Sequence, residues 1–345
     1  MPKDNENIAV SADLSLPQTE FQGFTADQMV RCEECLRANP PTRVACLYCG
    51  KALPASEGNE AQAKPSLRQL EKWEQGYNCI LIKAPTESLN DQTTTQAASL
   101  LRLGVADLTR IMQAPKPLPL ARAASPEEAG LILESLSRLG LETMIVSDQT
   151  LALETSPPRR LRTIELQEND LVVHPTLGEG NSIPWGEIKL VTGGRLFAKQ
   201  VETKERKRRG AEKQILEARE TTTDEAVLDI YTQGQDGGWR IMANNFDFSC
   251  LGERKTLLAS ENFTTLVMLI REHTPDAEHD LAYHKLRRSL ELVWPSEQQT
   301  SSLGWRRDRA GKYSTGEMTI TSNKSQFTRY SRLCHFLKVT PRGFA

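Results

Sequence analysis

The sequence predicts a multi-domain protein of the α+β class, made of a small four-cysteine finger, a β-α-α-β-α-β module and a β-rich module closed by a helix. Three observations lead to this prediction. Two Cys-x2-Cys turns lie close together in the first 50 residues of the 345-residue chain. Strand-like and helix-like segments alternate over residues 77–148. Short strand-like runs separated by turn residues then fill residues 160–275, which end in an amphipathic helix.

Length and composition limit the possible classes of protein. A chain of 345 residues is long enough for two or three domains, and a hydrophobic content of 38% can form their cores. The net charge of -2 indicates no overall attraction to nucleic acid or to a membrane surface. The seven cysteines are an odd number, which is unlike a secreted disulfide framework, so we expect a cytoplasmic protein. We also expect no signal peptide and no membrane partner, because the sequence has no long apolar run.

Composition shifts along the chain predict six segments. Residues rich in Pro, Gly, Ser and Glu follow the cysteines, and "SPPRR" separates the two larger modules. The predicted segments are a disordered tail over 1–28, a zinc finger over 29–53, a linker over 54–76, the β-α-α-β-α-β domain over 77–153, the β-rich domain over 160–275, and a helical segment with a basic C-terminal tail over 276–345.

The cysteine cluster has the spacing of a metal site. Its pattern is Cys32-x2-Cys35-x10-Cys46-x2-Cys49, in which each short turn brings two thiolates within reach of one ion. Four thiolates form the tetrahedral set that Zn²⁺ prefers, so these cysteines are the predicted ligands of one zinc ion. Four protein ligands leave no open coordination position, which predicts a structural and not a catalytic metal. Gly50 can adopt the positive φ that directs backbone N–H groups towards the sulfurs.

The same stretch resembles the Ran-binding-protein type of zinc finger, a small zinc ribbon with the pattern Cys-x2-Cys-x3-Asn-x6-Cys-x2-Cys. Asn39 occupies the asparagine position. Members of that family bind ubiquitin or single-stranded RNA, but Val30 stands where the family has tryptophan, and Leu36-Arg37 where ubiquitin binders have Thr-Phe. Three roles remain open for the finger: protein contact, a purely structural cap, and RNA contact. Arg43, Leu47 and Tyr48 lie between or within the two turns and are the predicted contact residues.

Residues 77–148 alternate between strand and helix signals. "YNCILIKAP" predicts a strand, Thr95–Gln113 predicts two helices that meet at Gly104, and the prolines of "PLPLARA" favour an edge strand. Ser125, Pro126 and Glu128 form the start signal of a third helix, and Gly140 is suited to a left-handed C-terminal cap. "LETMIVS" predicts the last strand.

This module resembles the C-terminal domain of the bacterial ribosomal stalk protein. The likeness rests on "LRLGVADLTRIMQAPKPLP" and "SPEEAGLILESLSRLGLETMIV", which share the helix–Gly–helix, the "APKPL" break and the Ser-initiated helix. In the stalk family the domain recruits translational GTPases through a basic helix after the glycine, where this chain has Val105, Ala106 and Asp107. The Clp-protease adaptor has a related fold that docks partners. The resemblance therefore implies an α+β fold and protein binding.

Residues 160–275 give three strand-like runs up to Gly194 and two more around a Gly-rich turn, followed by the helix "SENFTTLVMLIREHTP". Antiparallel strands closed by one helix resemble the pleckstrin-homology-like fold, and "IPWGEIKLV" is similar to a strand opening in bacterial versions of it. "LAYHKLRRSLELVWP" predicts one further helix.

Two segments carry an excess of basic residues. "KQVETKERKRRGAEKQ" (199–214) predicts a solvated loop between strands or a contact with an acidic or phosphate-rich partner. In residues 306–345, basic and aromatic residues alternate, which suits either RNA binding or a mobile tail or last packed helix. The basic residues are Arg306, Arg307, Arg309, Lys312, Lys324, Arg329, Arg332, Lys338 and Arg342, and the aromatic ones are Tyr313, Phe327, Tyr330 and Phe336.

The sequence contains no motif of a known catalytic site. "TLGEGNS" and "TGGR" lack the Gly-Lys-Ser/Thr ending of a phosphate loop, and neither a nucleophile elbow nor a His-Glu-x-x-His motif occurs. The interpretation is a non-enzymatic zinc-binding adaptor that uses small modules to bind a protein partner and has no small-molecule substrate. The alternative is a ribosome- or RNA-associated protein that binds through the stalk-like domain and the basic C-terminus. An enzyme with chemistry that the sequence does not reveal is the third hypothesis.

Overall fold

The computed structural model describes residues 29–40, 43, 46–51, 53, 67–68, 70–71, 74–83, 90–206, 214–233, 237–309 and 312–340. For residues 205–206, 214–216, 305–309 and 312–314 it describes the backbone alone. The predicted disordered tail over 1–28 and most of the predicted linker over 54–76 lie outside the described residues.

The chain divides into two compact units, residues 1–64 and residues 65–345. The first contains the four-cysteine cluster. The second is a mixed α/β unit, and the boundaries predicted near residues 153 and 275 both fall inside it. The structure therefore shows the mixture of helices and sheets that the sequence predicts, with the two predicted larger modules in one compact unit.

The first part of unit 65–345 is a three-stranded antiparallel sheet with three helices, in the predicted order β-α-α-β-α-β. The strand order is β4-β3-β5, so the proline-containing β4 lies at an edge as predicted. The elements are β3 (Tyr77–Lys83), α1 (Asp91–Leu101), α2 (Val105–Met112), β4 (Leu118–Ala123), α3 (Pro126–Arg138) and β5 (Glu142–Ser147).

Capping residues fix where these helices begin. Ser125 accepts a hydrogen bond from the Glu128 N–H at 3.2 Å, and the Glu128 carboxylate accepts one from the Ala124 N–H at 2.9 Å, which confirms the predicted start of α3. Gly140 has a φ of 82° just after this helix, as predicted. Helix α1 begins at Asp91, four residues before the predicted Thr95, because Asn90 caps the Thr93 N–H.

A larger sheet forms the rest of the unit. Its strand order is β13-β14-β9-β10-β11-β6-β7-β8, and β12 pairs in parallel with β9. Between residues 159 and 242 the structure has six strands where the sequence predicts five, because the short β8 is separate from β9. The elements are β6 (Arg159–Leu166), β7 (Asp170–Pro175), β8 (Asn181–Pro184), β9 (Ile188–Arg206), β10 (Gln214–Thr232), β11 (Trp239–Met242), α4 (Ala259–His273), β12 (Glu278–Asp280), α5 (Tyr283–Leu290), β13 (Glu297–Arg309), β14 (Lys312–Ser322) and α6 (Lys324–Val339).

Both basic segments differ from their prediction. Residues 199–206, predicted as a solvated loop, continue strand β9 and pair with β10 and β14. Residues 306–340, predicted as a basic tail or a last packed helix, contain the end of β13, strand β14 and helix α6. Residues 341–345 lie outside the described residues. The many charged residues hid the strand signal, because these segments lack the alternation of apolar and polar residues that indicates a strand.

The three-stranded sheet and the C-terminal helices share one hydrophobic core. Buried residues of the first, such as Ile80 and Leu136, belong to the same cluster as Tyr283, Trp294 and Phe327. A second cluster lies between the strands β6–β11 and helix α4. The Trp294 indole N–H donates to Asn78 Oδ1 at 2.8 Å, so a polar bond also joins the first sheet to the segment after α5.

A pair of glycines in β9 allows helix α6 and the start of α5 to lie close to the sheet. A Cβ atom on Gly194 would lie 2.7 Å from the Phe327 ring and 2.8 Å from the Tyr283 ring. A Cβ on Gly193 would overlap with the Leu281 side chain. The Gly-Gly of "TGGR" is therefore explained by close packing.

A buried ion pair connects α6 to strands β10 and β11. Asp229 accepts hydrogen bonds from Arg240 Nε and Nη2, both at 2.7 Å, and from the Ser331 hydroxyl at 2.7 Å. Both charged side chains are buried, and Thr328 of α6 accepts a further bond from Arg240 at 3.1 Å. The charges are thus compensated within the core.

No helix within the described residues is long and apolar enough to cross a bilayer.

Candidate metal centre

The cysteine cluster is built from two turns with the same backbone bonds. Strands β1 (Val30–Arg31) and β2 (Ala38–Asn39) pair around the first turn. In that turn the Leu36 N–H donates to the Cys32 carbonyl at 2.9 Å, and in the second turn the Gly50 N–H donates to the Cys46 carbonyl at 3.0 Å. The residue after each second cysteine is left-handed, with a φ of 56° at Leu36 and 73° at Gly50. The predicted role of Gly50 is confirmed, and Leu36 has the same conformation at the equivalent place.

The two turns bring four thiols to one point. The Sγ atoms of the four cysteines all lie within 4.8 Å of one another, with Cys32 and Cys49 at 3.5 Å and Cys35 and Cys46 at 3.5 Å. A disulfide has an S–S bond of about 2.05 Å, so none of these contacts is a disulfide. A tetrahedral ion with metal–sulfur bonds of about 2.3 Å places its sulfurs about 3.8 Å apart. The predicted ligand set Cys32, Cys35, Cys46 and Cys49 therefore fits one metal ion.

Asn39 supports the cluster from inside the finger. Its side chain is fully buried and donates to the Arg37 carbonyl at 2.9 Å and to Cys46 Sγ at 3.5 Å. Its Oδ1 accepts from the Leu47 N–H at 2.8 Å. One amide thus ties the first turn to the second and to a sulfur.

The pKa values of Cys46 and Cys49 are shifted in opposite directions. Desolvation acts to raise the pKa of Cys46, but the N–H groups of Tyr48 and Cys49, with the Cys35 and Asn39 side chains, outweigh it and lower the pKa to about 6. For Cys49 the Lys51 N–H acts to lower the pKa, while desolvation and the three neighbouring thiols raise it to about 12.

Apolar side chains surround the cluster on the outside. Leu36, Leu47 and Tyr48 are 69%, 52% and 56% exposed, and Arg43 is exposed as well. The Arg37 guanidinium lies over the Tyr48 ring at 4.7 Å from its centroid, which holds the ring in place. The predicted contact residues thus lie at the surface. Leu36 is not among the contact residues that the sequence predicts, although its place after Cys35 matches that of Gly50 after Cys49.

The other predicted binding feature, the basic aromatic C-terminus, is partly enclosed. Phe327 and Tyr330 are fully buried in the core of unit 65–345, and Arg332 is also buried, with its Nε donating to the Leu151 carbonyl at 2.7 Å. These rings are not available for stacking on bases. Among the described residues, the four cysteines are the one group of three or more potential ligand side chains that could hold a metal ion.

Comparison of the chain with protein-family models, with curated proteins and with solved structures gives no match. Its class is therefore defined by its own site: a chain with a four-cysteine centre that could hold one metal ion, followed by a mixed α/β unit.

Proposed function

We propose that the chain is a non-enzymatic cytoplasmic adaptor whose finger binds one structural zinc ion and contacts a protein partner. The observation that carries this proposal is the convergence of four thiols beneath a surface of exposed apolar side chains. Zinc is the metal that best suits four sulfur ligands in a tetrahedral arrangement, and reduced thiols suit the cytoplasm. With all four positions filled by protein, the ion has no place for a substrate.

Protein contact is favoured over a purely structural cap because of what the finger exposes. Leu36, Leu47 and Tyr48 are more than half exposed in a unit with very few buried apolar residues. An aromatic ring fixed by a guanidinium loses little conformational entropy on binding, which is the property of residues that dominate interfaces. We therefore assign these three side chains and Arg43 to the partner surface.

The test uses the full chain, a finger variant and a control variant. The finger variant is Leu47→Ser with Tyr48→Ser, which leaves the four cysteines and Asn39 unchanged. The control is Leu177→Ser with Leu257→Ser, which removes two exposed leucines of unit 65–345. Metal analysis of all three chains should give one zinc per chain. Affinity purification with mass spectrometry should recover a partner with the wild type and the control but not with the finger variant.

Two results would contradict the proposal. Iron or no metal in chains purified from cells would exclude a zinc finger. An unchanged set of recovered proteins for the finger variant would exclude the finger as the contact surface, whatever the metal.

A second candidate function, RNA or ribosome association, rests on the register of the C-terminal hairpin. The pairs Arg306–Ser314, Arg307–Tyr313 and Arg309–Lys312 place four basic residues near one end of β13 and β14. A run of basic residues can neutralise phosphates. Filter binding to ribosomal RNA over a salt series should show affinity that falls steeply with salt. Undetectable binding at low salt would exclude this candidate and leave the adaptor proposal unaffected.

A further inference from the structure

Helix α6 holds a largely buried cationic side chain that forms no hydrogen bond with any described residue. The side chain of Arg329 is only 14% exposed, and its Nε is enclosed without a hydrogen-bond partner. The one ion pair that it forms with a described residue is to Asp148 Oδ1, at 3.9 Å from Nε, which is too long for a hydrogen bond. A largely buried guanidinium without hydrogen bonds is costly to the folded state.

Asp148 does not accept a hydrogen bond from Arg329, because its two oxygens already accept hydrogen bonds from other residues. Its Oδ2 accepts from Arg122 and from the Gly76 N–H at 3.0 Å, and its Oδ1 accepts from Asn78 at 2.9 Å. Burial lowers the pKa of Arg329, Asp148 acts to raise it, and the neighbouring Arg122 lowers it further. One carboxylate therefore faces two guanidinium groups and forms hydrogen bonds with one of them.

Arg329 lies on the wall between two cavities of unit 65–345. One has a volume of about 650 Å³ and the other about 670 Å³, and both are lined by Arg329 and Glu297. These volumes are in the range that holds small organic ligands, whereas a folded macromolecule would not fit. Arg329 therefore lines cavities that are large enough to hold a small molecule.

A second unsatisfied polar group lies in the same wall. The hydroxyl of Ser325 is enclosed and has no hydrogen-bond partner, and Ser325 lines the cavity of about 670 Å³ together with Arg329. The two residues are four apart on α6 and so lie on one face of the helix. Lys324, also on this wall, adds an exposed charge.

The remaining charges of this cavity nearly balance. Three of its charged residues form ion pairs. These pairs are Asp148 with Arg122, Glu74 with Arg68, and Arg240 with Asp229. The wall also carries two further cations and two further carboxylates, namely Arg160, Lys324, Glu154 and Glu297. An anion bound here would therefore find a cationic donor, the Arg329 Nε, that no hydrogen bond satisfies.

We propose that this cavity is a binding site for a small organic oxyanion, a carboxylate or a phosphate ester, with Arg329 as the anchor and Ser325 as a second hydrogen-bond donor. The planar guanidinium suits both oxyanions because it donates two parallel hydrogen bonds. The site is independent of the finger and of its metal.

The test measures thermal unfolding of the full chain in separate titrations with inorganic phosphate and with succinate, each against sodium chloride at matched ionic strength. At about 10 mM, an anion that binds with a millimolar Kd should raise the Tm of unit 65–345 by about 2–5 °C. Arg329→Gln should abolish this shift and Ser325→Ala should reduce it. Arg138→Gln, on the exposed surface of α3, should keep it. A response to phosphate alone identifies a phosphate ester as the ligand class, and a response to succinate alone identifies a carboxylate.

Without added anion, Arg329→Gln should unfold at the same temperature as the wild type or higher, because it removes a largely buried charge that forms no hydrogen bond. If Arg329→Gln does not fold, the same titrations are made with Ser325→Ala and Arg329→Lys. An anion-induced rise in Tm equal to that of the wild type in both variants overturns the proposal. The proposal is also overturned if neither anion exceeds sodium chloride, or if a folded Arg329→Gln chain retains the wild-type shift.

Discussion

The finger and unit 65–345 are held together by different means. Within its described residues, the finger has three buried hydrophobic side chains, those of Cys32, Cys46 and Leu53. Each of its described strands has two residues. Unit 65–345 has two large hydrophobic clusters and encloses a charged pair in its interior. A segment too short to bury a core relies on a metal, whereas a long one can bury even charges if they are compensated. Four predictions test this difference.

Metal removal should have the largest effect and should be confined to the finger. Apparent binding free energies of structural zinc are about 10–16 kcal/mol, so chelation or Cys46→Ser should unfold residues 30–51. Hydrogen–deuterium exchange followed by mass spectrometry should show loss of protection there and unchanged protection in strands β6–β11. Protection of the finger that persists after complete metal removal would show that a metal is not what folds it.

Breaking the buried ion pair should have the next largest effect, this time confined to unit 65–345. Asp229→Asn leaves Arg240 buried without its charge partner, and such a change costs about 3–5 kcal/mol in the free energy of unfolding. Urea denaturation measures it. The matched control is Asp224→Asn, which removes the exposed pair with Arg195 and should cost at most about 1 kcal/mol. Equal losses in the two variants would contradict the distinction between the pairs.

The amide that supports the metal centre should contribute less than the metal itself. Asn39→Ala removes the bonds to Cys46, to the Arg37 carbonyl and to the Leu47 N–H, and should lower zinc affinity about 10- to 100-fold. Competition with a chromophoric chelator gives the affinity. Glu34→Gln is the control, because its pair with Lys51 is exposed and it should leave the affinity nearly unchanged.

The smallest effect should come from the residue that follows the second cysteine of each turn, which differs between the two turns. Leu36 is left-handed where the second turn has Gly50, and a side chain in that conformation costs about 1–2 kcal/mol. Leu36→Gly should relieve this cost, partly offset by the entropy of glycine in the unfolded chain, and tighten zinc binding about two- to five-fold. Leu47→Gly, where φ is not positive, should not tighten it. Weaker binding by Leu36→Gly would show that the leucine side chain stabilises the turn.

The sequence predicts well those features that depend on local chemistry. The cysteine spacing, Gly50, the cap at Ser125 and the glycine at 140 each involve a few neighbouring residues with strong conformational preferences, and each has the predicted structure. The order of the six elements over 77–148 follows from the same kind of signal.

Features that depend on distant parts of the chain were missed. Residues 199–206 lie between β10 and β14, and the second of these partners is more than a hundred residues later in the chain. Phe327 and Tyr330 lie among basic residues in sequence and suggest a nucleic-acid surface, but they point into the core because their helix packs against Gly194. Arg329 lacks a hydrogen bond because Arg122 already binds Asp148, and no pattern in the sequence shows that these three residues lie close together.

The shared core of the three-stranded sheet and the C-terminal helices has a consequence for synthesis. Leu151 and Leu333 belong to the same cluster, so the first sheet keeps one face uncovered, the face that meets the C-terminal helices, until roughly 180 further residues have been translated. At about 5–20 residues per second this takes about 10–40 s, during which its apolar face is open to other chains. The order of the elements along the chain therefore exposes the nascent protein to aggregation during this time. A ribosome-bound chaperone would have its greatest effect between the synthesis of Leu151 and that of Leu333.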